Sequence, residues 1–350
     1  MKNTLLLIVI ALFVYSCNTA QEIKCDKSFL IVNYNVENLF DTINDPDKYD
    51  EAFTPEGKKN WTSKRYNDKL QKLAYVIQQI DEEKMPDVVG LVEIENQTVL
   101  EDLISQKELS KANYSIVHHE GPDARGIDCA LLYNPKSFKL IESRFFQVKI
   151  EGDNRFKTRE IVYVKGLTKS KDTLHIFVNH WPSRRGGQEK SEHKRVRAAE
   201  VLRLAVDSIQ KSNSNSKIII VGDFNDETTD KSIKKQLRAK NDFPLVNMDL
   251  VNLSANADAK GIGTYHYWKT NEWNMLDQMI ITSNLLIDFK GGLMVESNEM
   301  QIFSPDWIMH TNKDGSKTPA KTYGKGYYGG YSDHLPVYMY LGWKCKLKKN

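Results

Sequence analysis

The chain has 350 residues, of which 40% are hydrophobic and 27% are charged, and its net charge at pH 7 is +3. This composition is ordinary for a soluble globular protein with a sizeable core. The small net charge excludes a surface that attracts nucleic acid over its whole extent, so any binding of polyanions must come from a local patch.

The N-terminus predicts an export signal. Lys2 precedes ten apolar residues, Leu5 to Val14. This run is too short to span a bilayer, which takes about 20 residues, but it fits the apolar core of a signal peptide. The Ser16–Cys17 step that follows resembles the cleavage site of bacterial lipoproteins, in which the cysteine becomes the lipidated first residue.

We therefore expect a removed signal peptide at residues 1–16, a short tether at 17–27 and a lipid on Cys17. The lipid would anchor the exported protein to a bacterial membrane, on its periplasmic face or at the cell surface. An ordinary secretory signal cut near Ala20 is the alternative, and either signal exports the protein.

Three further cysteines remain after Cys17. Cys129 lies in an apolar run and is expected to be an inert core thiol. Cys25 and Cys345 flank the first and last predicted strands, and an oxidising compartment would allow them to pair. We therefore predict a Cys25–Cys345 disulfide.

The predicted elements interleave strands and helices, but many strands follow one another directly. Apolar and β-branched runs predict strands at residues 29–36, 87–94, 114–118, 128–133, 138–142, 160–167, 174–178, 217–221, 279–281 and 336–341. Helical spacing predicts a helix with Thr62 or Ser63 as its N-cap that ends before Pro86, and two more at 98–109 and 189–211. Residues 41–61 and 304–331 are predicted loops.

This order of elements indicates a layered α+β sandwich rather than a doubly wound parallel sheet. The sequence contains neither an internal repeat nor a linker between domains. We expect one domain at residues 28–343, followed by a short tail at 344–350.

Polar residues recur where the predicted strands end or begin. They are Asn35, Glu37, Glu93, His180, Asp223, Asn225, Asp277, Asp333 and His334. Any one of these residues alone is more often a turn or cap residue. Because they occur at six different strand ends, they indicate that the strand ends converge on one cavity. Carboxylate and amide oxygens suit Mg²⁺, Mn²⁺ or Ca²⁺ rather than zinc. Two histidines near carboxylates suit proton transfer, and nearby arginines suit phosphate, so the pattern favours metal-assisted hydrolysis of phosphoesters.

Seven segments carry a resemblance to a known family. They are Asn-Tyr-Asn-Val-Glu-Asn-Leu-Phe (33–40), Gly-Leu-Val-Glu-Ile-Glu-Asn (90–96), Gly-Ile-Asp-Cys-Ala-Leu-Leu-Tyr (126–133), Asn-His-Trp-Pro-Ser-Arg-Arg-Gly-Gly (179–187), Val-Gly-Asp-Phe-Asn-Asp (221–226), Leu-Asp-Gln-Met-Ile (276–280) and Ser-Asp-His-Leu-Pro-Val (332–337). In this set and order the chain resembles the endonuclease/exonuclease/phosphatase superfamily, in its secreted bacterial lipoprotein branch. The resemblance implies a DNase I-like, four-layered α/β/β/α sandwich.

The resemblance also implies a metal site and a catalytic set. Glu93 would be the main Mg²⁺ ligand, helped by Asn35, Glu37 and Asp333, with Mn²⁺ or Ca²⁺ as possible substitutes. His334 would be the general base for the attacking water. His180, oriented by Asp277, would protonate the leaving oxygen, although the two histidines could exchange these roles. Asp223 and Asn225 would position the nucleophile and the phosphate.

Substrate contacts are expected from the segments beside this set. Residues 183–197 contain six basic and two acidic side chains, and Arg184 and Arg185 lie next to His180. Trp181 is a candidate for stacking on a base or sugar, although it could also simply pack. Arg125 and Asp128 are candidates for contacts from their loop and strand.

Three functions fit these observations. The first is an exported nuclease that cleaves DNA or RNA phosphodiesters, which the basic patch and the aromatic residues Tyr265, Tyr267 and Trp268 favour. The second is a phospholipid or inositol-phosphate phosphoesterase, and the third is a non-catalytic binding lipoprotein. The intact seven segments argue against the third. We expect a monomer with a phosphodiester substrate, a membrane anchor and no protein partner.

Overall fold

Two seven-stranded sheets packed face to face form the centre of the protein. The computed structural model describes residues 23–242, 244–286 and 292–347. The strands in chain order are β1 (Ile23–Leu39), β2 (Val88–Ile94), β3 (Ser115–His118), β4 (Asp128–Tyr133), β5 (Phe138–Phe146), β6 (Ile161–Thr168), β7 (Thr173–His180), β8 (Lys217–Asp223), β9 (Ala239–Lys240), β10 (Leu250–Asn252), β11 (Tyr265–Tyr267), β12 (Glu272–Asn274), β13 (Asp277–Thr282), β14 (Met294–Val295), β15 (Gln301–Ile302), β16 (Met309–Thr311), β17 (Lys317–Pro319) and β18 (Val337–Leu347).

The first sheet has the strand order β14-β18-β1-β2-β4-β3, with β15 also paired to β18, and the second has the order β5-β6-β7-β8-β13-β10-β9. At the centre of each sheet two strands are parallel, β1 with β2 and β7 with β8. The next strand in each sheet, β18 or β13, runs antiparallel to this pair. Strands β11 and β12 form a separate hairpin, as do β16 and β17.

Alternation along β1 explains why the two sheets and the helices stack in layers. Phe29 and Ile31 pack between the two sheets, whereas Leu30 and Val32 pack on the opposite face of their sheet. Successive side chains of a strand point to opposite faces, so a continuously apolar strand must be covered on both. Burial of these side chains contributes roughly 1.5–3 kcal/mol each.

The helices cover the two outer faces. They are α1 (Ser63–Gln79), α2 (Gln97–Ser105), α3 (Gln188–Ser212) and the short α4 (Ala255–Ala259). Helix α1 buries Leu70, Leu73 and Ile77 against the first sheet, as their helical spacing predicts. Helix α3 buries Leu202 and Val206 against the second. The predicted four-layered α+β sandwich is therefore confirmed.

The structure differs from the sequence-based expectation mainly in strand length and at the edges. Strands β1 and β18 are both longer than predicted because they pair with each other over most of their length. Strands β9, β14 and β15 have two residues each, too few to show a hydrophobic period. Short 3₁₀ turns at Glu51–Phe53, Ser110–Ala112, Ser283–Leu285 and Asp306–Ile308, and a π-helical turn at Ser232–Leu237, also have no such period.

The loop at residues 41–61 is attached to the core through its second half. Phe53 stacks on Phe40 with ring centroids 4.2 Å apart. Trp61 is fully buried, and its indole Nε1 donates a hydrogen bond to the Phe40 carbonyl oxygen at 2.9 Å. The first half of the loop is largely exposed, as predicted for a surface loop.

The predictions for the two termini lie partly outside the described residues. The signal peptide at 1–16 and the lipidated Cys17 fall there, as do the side chain of Cys345 and residues 348–350 of the predicted tail. Cys25 is disulfide-bonded, and the strand register places the Cα atom of Cys345 opposite that of Cys25. Cys129 is free and buried, as expected. No described helix is long and apolar enough to cross a membrane.

Candidate active site

The polar strand ends of both sheets meet at one edge of the sandwich. The carboxyl ends of two adjacent parallel strands lie side by side, so β7 and β8 place His180 opposite Asp223. Strand β13 begins where β8 ends, and Asp277 pairs with Asp223 on its other side. From the facing sheet, the Asn35 amide donates a hydrogen bond to Asp223 Oδ2 at 3.0 Å.

Asp223 is the centre of this cluster. Its Oδ2 lies 3.6 Å from His180 Nε2 and 3.9 Å from His334 Nε2, between the two imidazoles. Its Oδ1 accepts a hydrogen bond from the Asn225 backbone N–H at 2.8 Å. Burial, with a contribution from the Asp277 charge, raises the pKa of Asp223 to about 7. A pKa raised in this way means that the buried carboxylate is costly to ionise unless a cation or a hydrogen-bond donor lies next to it.

His334 and Asp277 form a hydrogen-bonded pair. Nδ1 of His334 lies 2.7 Å from Asp277 Oδ2, which also accepts a hydrogen bond from the Thr264 hydroxyl at 2.6 Å. Burial by itself would lower the pKa of His334, but the carboxylates of Asp277, Asp223 and Asp333 raise it well above its ordinary value. The prediction that Asp277 orients His180 is therefore wrong, because its hydrogen bond goes to the other histidine.

His180 has a different environment. Within the described residues its Nδ1 has no hydrogen-bond partner. Its Nε2 lies 3.8 Å from Glu93 Oε1, in addition to the contact with Asp223. Burial lowers the pKa of His180 well below its ordinary value, and the guanidiniums of Arg159 and Arg125 lower it further. Burial therefore disfavours the protonated imidazole of His180, whereas the neighbouring carboxylates favour the protonated imidazole of His334.

Glu93 and Asp333 are the carboxylates best placed for a metal ion. Glu93 has a positive φ of 68°, and its Oε2 accepts a hydrogen bond from the Asn38 backbone N–H at 2.8 Å. Burial and the nearby charge of Glu93 raise the pKa of Asp333. The mutual repulsion of these two side chains is the electrostatic environment that a divalent cation would relieve.

Glu37 does not fit its predicted role as a metal ligand. Its two carboxylate oxygens accept hydrogen bonds from the backbone N–H groups of Thr322, at 2.5 Å, and Tyr323, at 2.9 Å. Burial, with a contribution from Asp333, raises the pKa of Glu37 to about 7. Both carboxylate oxygens of Glu37 are thus bonded to the loop, whereas Glu93 accepts a backbone hydrogen bond at Oε2 alone.

The remaining donor set still fits a hard cation. Among the described residues, no group of three or more His, Cys, Asp or Glu side chains is arranged to hold a metal. Mg²⁺, however, is usually held by one or two carboxylates and completed by water and phosphate oxygens. Glu93, Asp333 and the Asn35 side chain match that smaller requirement.

Two predicted substrate contacts are corrected by the structure. Trp181 is 1% exposed and packs edge-on against Phe224, with its Nε1 hydrogen-bonded to Asn179, so its ring cannot stack on a substrate. The Arg184 guanidinium is tied to the Asn225 carbonyl at 2.8 Å and to Asp230 Oδ2 at 3.0 Å. It holds the Asp223–Asn225 turn in place.

The three other predicted contact residues differ in their surroundings. Arg185 is exposed, and Arg125 is partly exposed, with its charge acting on both His180 and Glu93. Asp128 is buried, and its Oδ1 accepts a hydrogen bond from the Gly121 N–H at 3.1 Å. Burial raises the pKa of Asp128 to about 7. Its contacts support the neighbouring loop.

Two residues beside the cluster lie outside the predicted catalytic set. The Arg159 guanidinium is buried and donates to the backbone carbonyls of His180 and Trp181. Arg159 comes just before a strand and gave no recognisable sequence signal. The Tyr265 ring lies 4.8 Å from the His334 ring; the sequence indicated this residue only as an aromatic surface for nucleic acid. Ser332 belongs to one of the seven family segments of the sequence, and its hydroxyl donates a hydrogen bond to the Asn35 carbonyl oxygen at 2.7 Å.

This fold and cluster agree with the comparison to known families. The model of the endonuclease/exonuclease/phosphatase family matches residues 30–343, and the chain belongs to this family. The resemblance seen in the seven segments is therefore confirmed. Membership supports a hydrolase that acts on phosphoester bonds. A search of curated proteins gave no match.

Solved structures confirm the DNase I-like fold. A D. rerio TDP2 humanized by 14 mutations is 14% identical with a TM-score of 0.56, over 90% of this chain and 99% of that one. The human Nocturnin catalytic domain with bound sulfate is 17% identical with a TM-score of 0.52, over 92% and 97%. A Bacteroides thetaiotaomicron mannosyl-6-phosphatase is 16% identical with a TM-score of 0.54, over 89% and 99%.

Proposed function

We propose that the protein is an exported phosphodiesterase that requires a divalent cation and acts on nucleic acid. The observation that carries the proposal is the position of Asp223 Oδ2, less than 4 Å from both imidazole Nε2 atoms. Two histidines in different protonation states on either side of one carboxylate provide a proton donor and a proton acceptor.

The geometry favours one division of labour. His334, whose Nδ1 is hydrogen-bonded to Asp277, is the group better able to carry positive charge and to donate a proton from Nε2 to the leaving oxygen. His180 has no such carboxylate at Nδ1, and its Nε2 accepts a proton from the attacking water. Asn225 and Asn35 restrict the orientation of Asp223 between them. The roles of the two histidines are therefore the reverse of those first expected.

Glu93 and Asp333, with Asn35, would hold the cation. Mg²⁺ is the first expectation, with Mn²⁺ or Ca²⁺ as substitutes. When bound, such a cation would neutralise phosphate oxygens and stabilise the charge that develops on them. The protein's own contribution is to hold the carboxylates and both imidazoles at one end of a rigid sandwich.

Nucleic acid is the substrate class that the surroundings support best. Tyr265 beside His334 and the 67% exposed Trp268 on the same hairpin offer aromatic surfaces for stacking. Arg185 supplies an exposed positive charge near the cluster. Export rests on the apolar run at Leu5–Val14 and on Cys17, and it would bring the site into contact with extracellular or periplasmic nucleic acid.

The first experiment measures turnover on a panel of substrates with Mg²⁺ and with EDTA. The panel contains plasmid, single-stranded DNA, RNA, bis-p-nitrophenyl phosphate, sphingomyelin, inositol phosphates and a hexose 6-phosphate. We expect EDTA to abolish cleavage of the nucleic acids. We expect Asp223→Asn and His334→Ala each to lower the rate by at least about a hundredfold.

The exposed His193 on α3 provides the matched control, because His193→Ala should leave turnover unchanged. Cleavage that resists EDTA would contradict the metal requirement. A preference for phosphomonoesters or lipids would move the substrate away from nucleic acid while leaving the hydrolytic site in place.

A further inference from the structure

A buried lysine outside the predicted site lies behind the loop that leads into Asp333 and His334. Lys69 on α1 is 1% exposed, although lysines are almost never fully buried without a partner. Its Nζ donates to the Thr322 hydroxyl at 2.7 Å and to the Tyr331 carbonyl at 3.3 Å. These two contacts lie near the two ends of the loop at residues 320–331.

Glu37 contacts the same segment from β1. Glu37 accepts hydrogen bonds from the backbone N–H groups of Thr322 and Tyr323, and Lys69 donates to the hydroxyl of the same Thr322. One short stretch of the loop is therefore bonded to an anion through its backbone and to a cation through a side chain. An isolated buried ammonium is costly, and the charges of Glu37 and Asp333 stabilise the one on Lys69.

Aromatic and cationic side chains close the loop from the outside. Lys59 Nζ lies 4.0 Å from the centroid of the Tyr323 ring, and the Arg65 guanidinium lies 4.3 Å from that of Tyr327. Lys72, one turn after Lys69, donates to the Gly329 carbonyl at 2.6 Å. The whole loop is thus fixed to α1 and to the segment at 41–61.

The end of this loop leads directly into the catalytic residues, so the position of the loop determines theirs. Tyr331, whose carbonyl Lys69 contacts, precedes Ser332, Asp333 and His334. The Ser332 hydroxyl donates to the Asn35 carbonyl and accepts from the His334 N–H at 3.1 Å. A shift at Tyr331 would therefore displace both Asp333 and the His334–Asp277 pair.

We propose that Lys69 and Glu37 together form a latch that positions Asp333 and His334 for catalysis by fixing the loop at residues 320–331. Lys69 is a positioning residue, and Glu37, instead of binding the cation, serves the same purpose. This inference rests on the proposed hydrolytic function for its kinetic consequence, but the latch itself is a structural claim that can be measured without turnover.

The test compares Lys69→Met with Lys64→Met, the same substitution at an exposed position of the same helix. With bis-p-nitrophenyl phosphate and saturating Mg²⁺, we expect Lys69→Met to lower kcat about tenfold to a hundredfold while KM changes less than about threefold, because misplacement of catalytic groups acts on the transition state. Lys64→Met should match the parent protein. Equal kcat values for parent and Lys69→Met would overturn the proposal.

Hydrogen exchange read by mass spectrometry provides the second readout. Peptides covering 320–334 should exchange faster in Lys69→Met than in the parent and in Lys64→Met, while peptides of β7 and β8 stay unchanged. Unchanged exchange at 320–334 would refute the latch even if kcat fell. A parent protein without turnover would contradict the proposed function alone, since the exchange experiment still decides the latch.

Thr322→Ala is the second variant, for the case that Lys69→Met does not fold. It removes the hydroxyl that accepts from Lys69 and leaves the backbone N–H groups that donate to Glu37. The same lower kcat and faster exchange at 320–334, both smaller in size, are expected. Parent-like values in both measurements would again reject the proposal.

Discussion

Buried carboxylates dominate the electrostatics of single residues near the site. Glu95 is the clearest example outside the catalytic cluster, because it is 8% exposed and accepts a hydrogen bond from the Asp41 N–H at 2.6 Å. Burial raises its pKa from 4.5 to about 8, and the charges of Asp41, Asp50 and Asp45 contribute. Its folded-state pKa is above the unfolded value, so the folded protein binds more protons between pH 4.5 and 8.

This residue makes a prediction about stability and pH. The contribution of Glu95 is fully present below about pH 4.5 and is lost as the pH rises towards 8. Glu95→Gln removes the ionisation, so we expect it to raise the thermal unfolding midpoint relative to the parent at pH 9 and to change it little at pH 4.5. Glu101→Gln, at an exposed position of α2, is the control. A difference of equal size at both pH values would show that charge is not the cause.

Residue types at strand ends were informative because chemistry restricts them. A histidine or aspartate after a buried strand is chemically specific, and the cluster around Asp223 contains most of the residues expected there. The partners were not predictable, because the hydrogen bond between Asp277 at the start of β13 and His334 before β18 joins residues 57 positions apart. Local sequence contains no information on which of two histidines such a carboxylate will reach.

At the scale of elements, the parallel pair β7 and β8 determines the position of Asp223. Gly222 pairs with Asn179 in this ladder and has a φ of +149°. A Cβ atom at Gly222 would lie 2.0 Å from the Asn179 carbonyl oxygen, so the close approach of the two strands requires glycine.

Gly222→Ala should therefore separate the two strands and displace Asp223. We expect a loss of about 2 kcal/mol or more in the free energy of unfolding, and a fall in turnover of at least about tenfold. Urea unfolding and turnover measure the two effects.

Gly152→Ala is the matched control for this substitution. Gly152 also has a positive φ, +79°, but a Cβ there would meet no atom within 4 Å. It should show only the backbone cost of about 1–2 kcal/mol and keep full activity. Equal losses of stability for the two variants would mean that backbone strain, rather than the contact with Asn179, is the reason for glycine at position 222.

Among the elements, long periodic ones were predicted well and short ones were not. Thr62 or Ser63 was expected as the N-cap of α1, and Thr62 occupies that position, with the helix beginning at Ser63. The hairpin of β11 and β12, which places Tyr265 against His334, consists of three-residue strands. Such strands form because a neighbouring surface offers pairing partners, and this information is absent from their own sequence.

At the scale of the whole molecule, the first and last long strands of the chain pair with each other within the first sheet. Strands β1 and β18 pair from Ile23 with Leu347 to Asn33 with Val337. Cys25 at this end of β1 is disulfide-bonded, and a bond to the predicted partner Cys345 would remove conformational freedom mainly from the unfolded state. An oxidising compartment, as export would provide, is where such a bond persists.

The disulfide leads to a prediction about the reactivity of the cysteines. Alkylation of the denatured, unreduced protein should label Cys129 and leave Cys25 and Cys345 unlabelled. Reduction should lower the urea midpoint by an amount that corresponds to roughly 2–4 kcal/mol, the typical contribution of a native disulfide. The same mass spectra identify the first residue of the mature chain as a lipidated Cys17 or as a residue near Ala20. Labelling of Cys25 without reduction would contradict the bond.

The sequence by itself determined the class of fold, the family and the chemical identity of most groups in the candidate site, because hydrophobic periodicity and scarce residue types at strand ends are local properties. Only the tertiary structure decided how these groups pair. It joined Asp277 to His334, buried Trp181, tied Arg184 to the Asn225 carbonyl and assigned Glu37 to a loop. Each of these outcomes depends on distances between residues far apart in the chain, which are set by the packing of two sheets and not by any neighbouring residues.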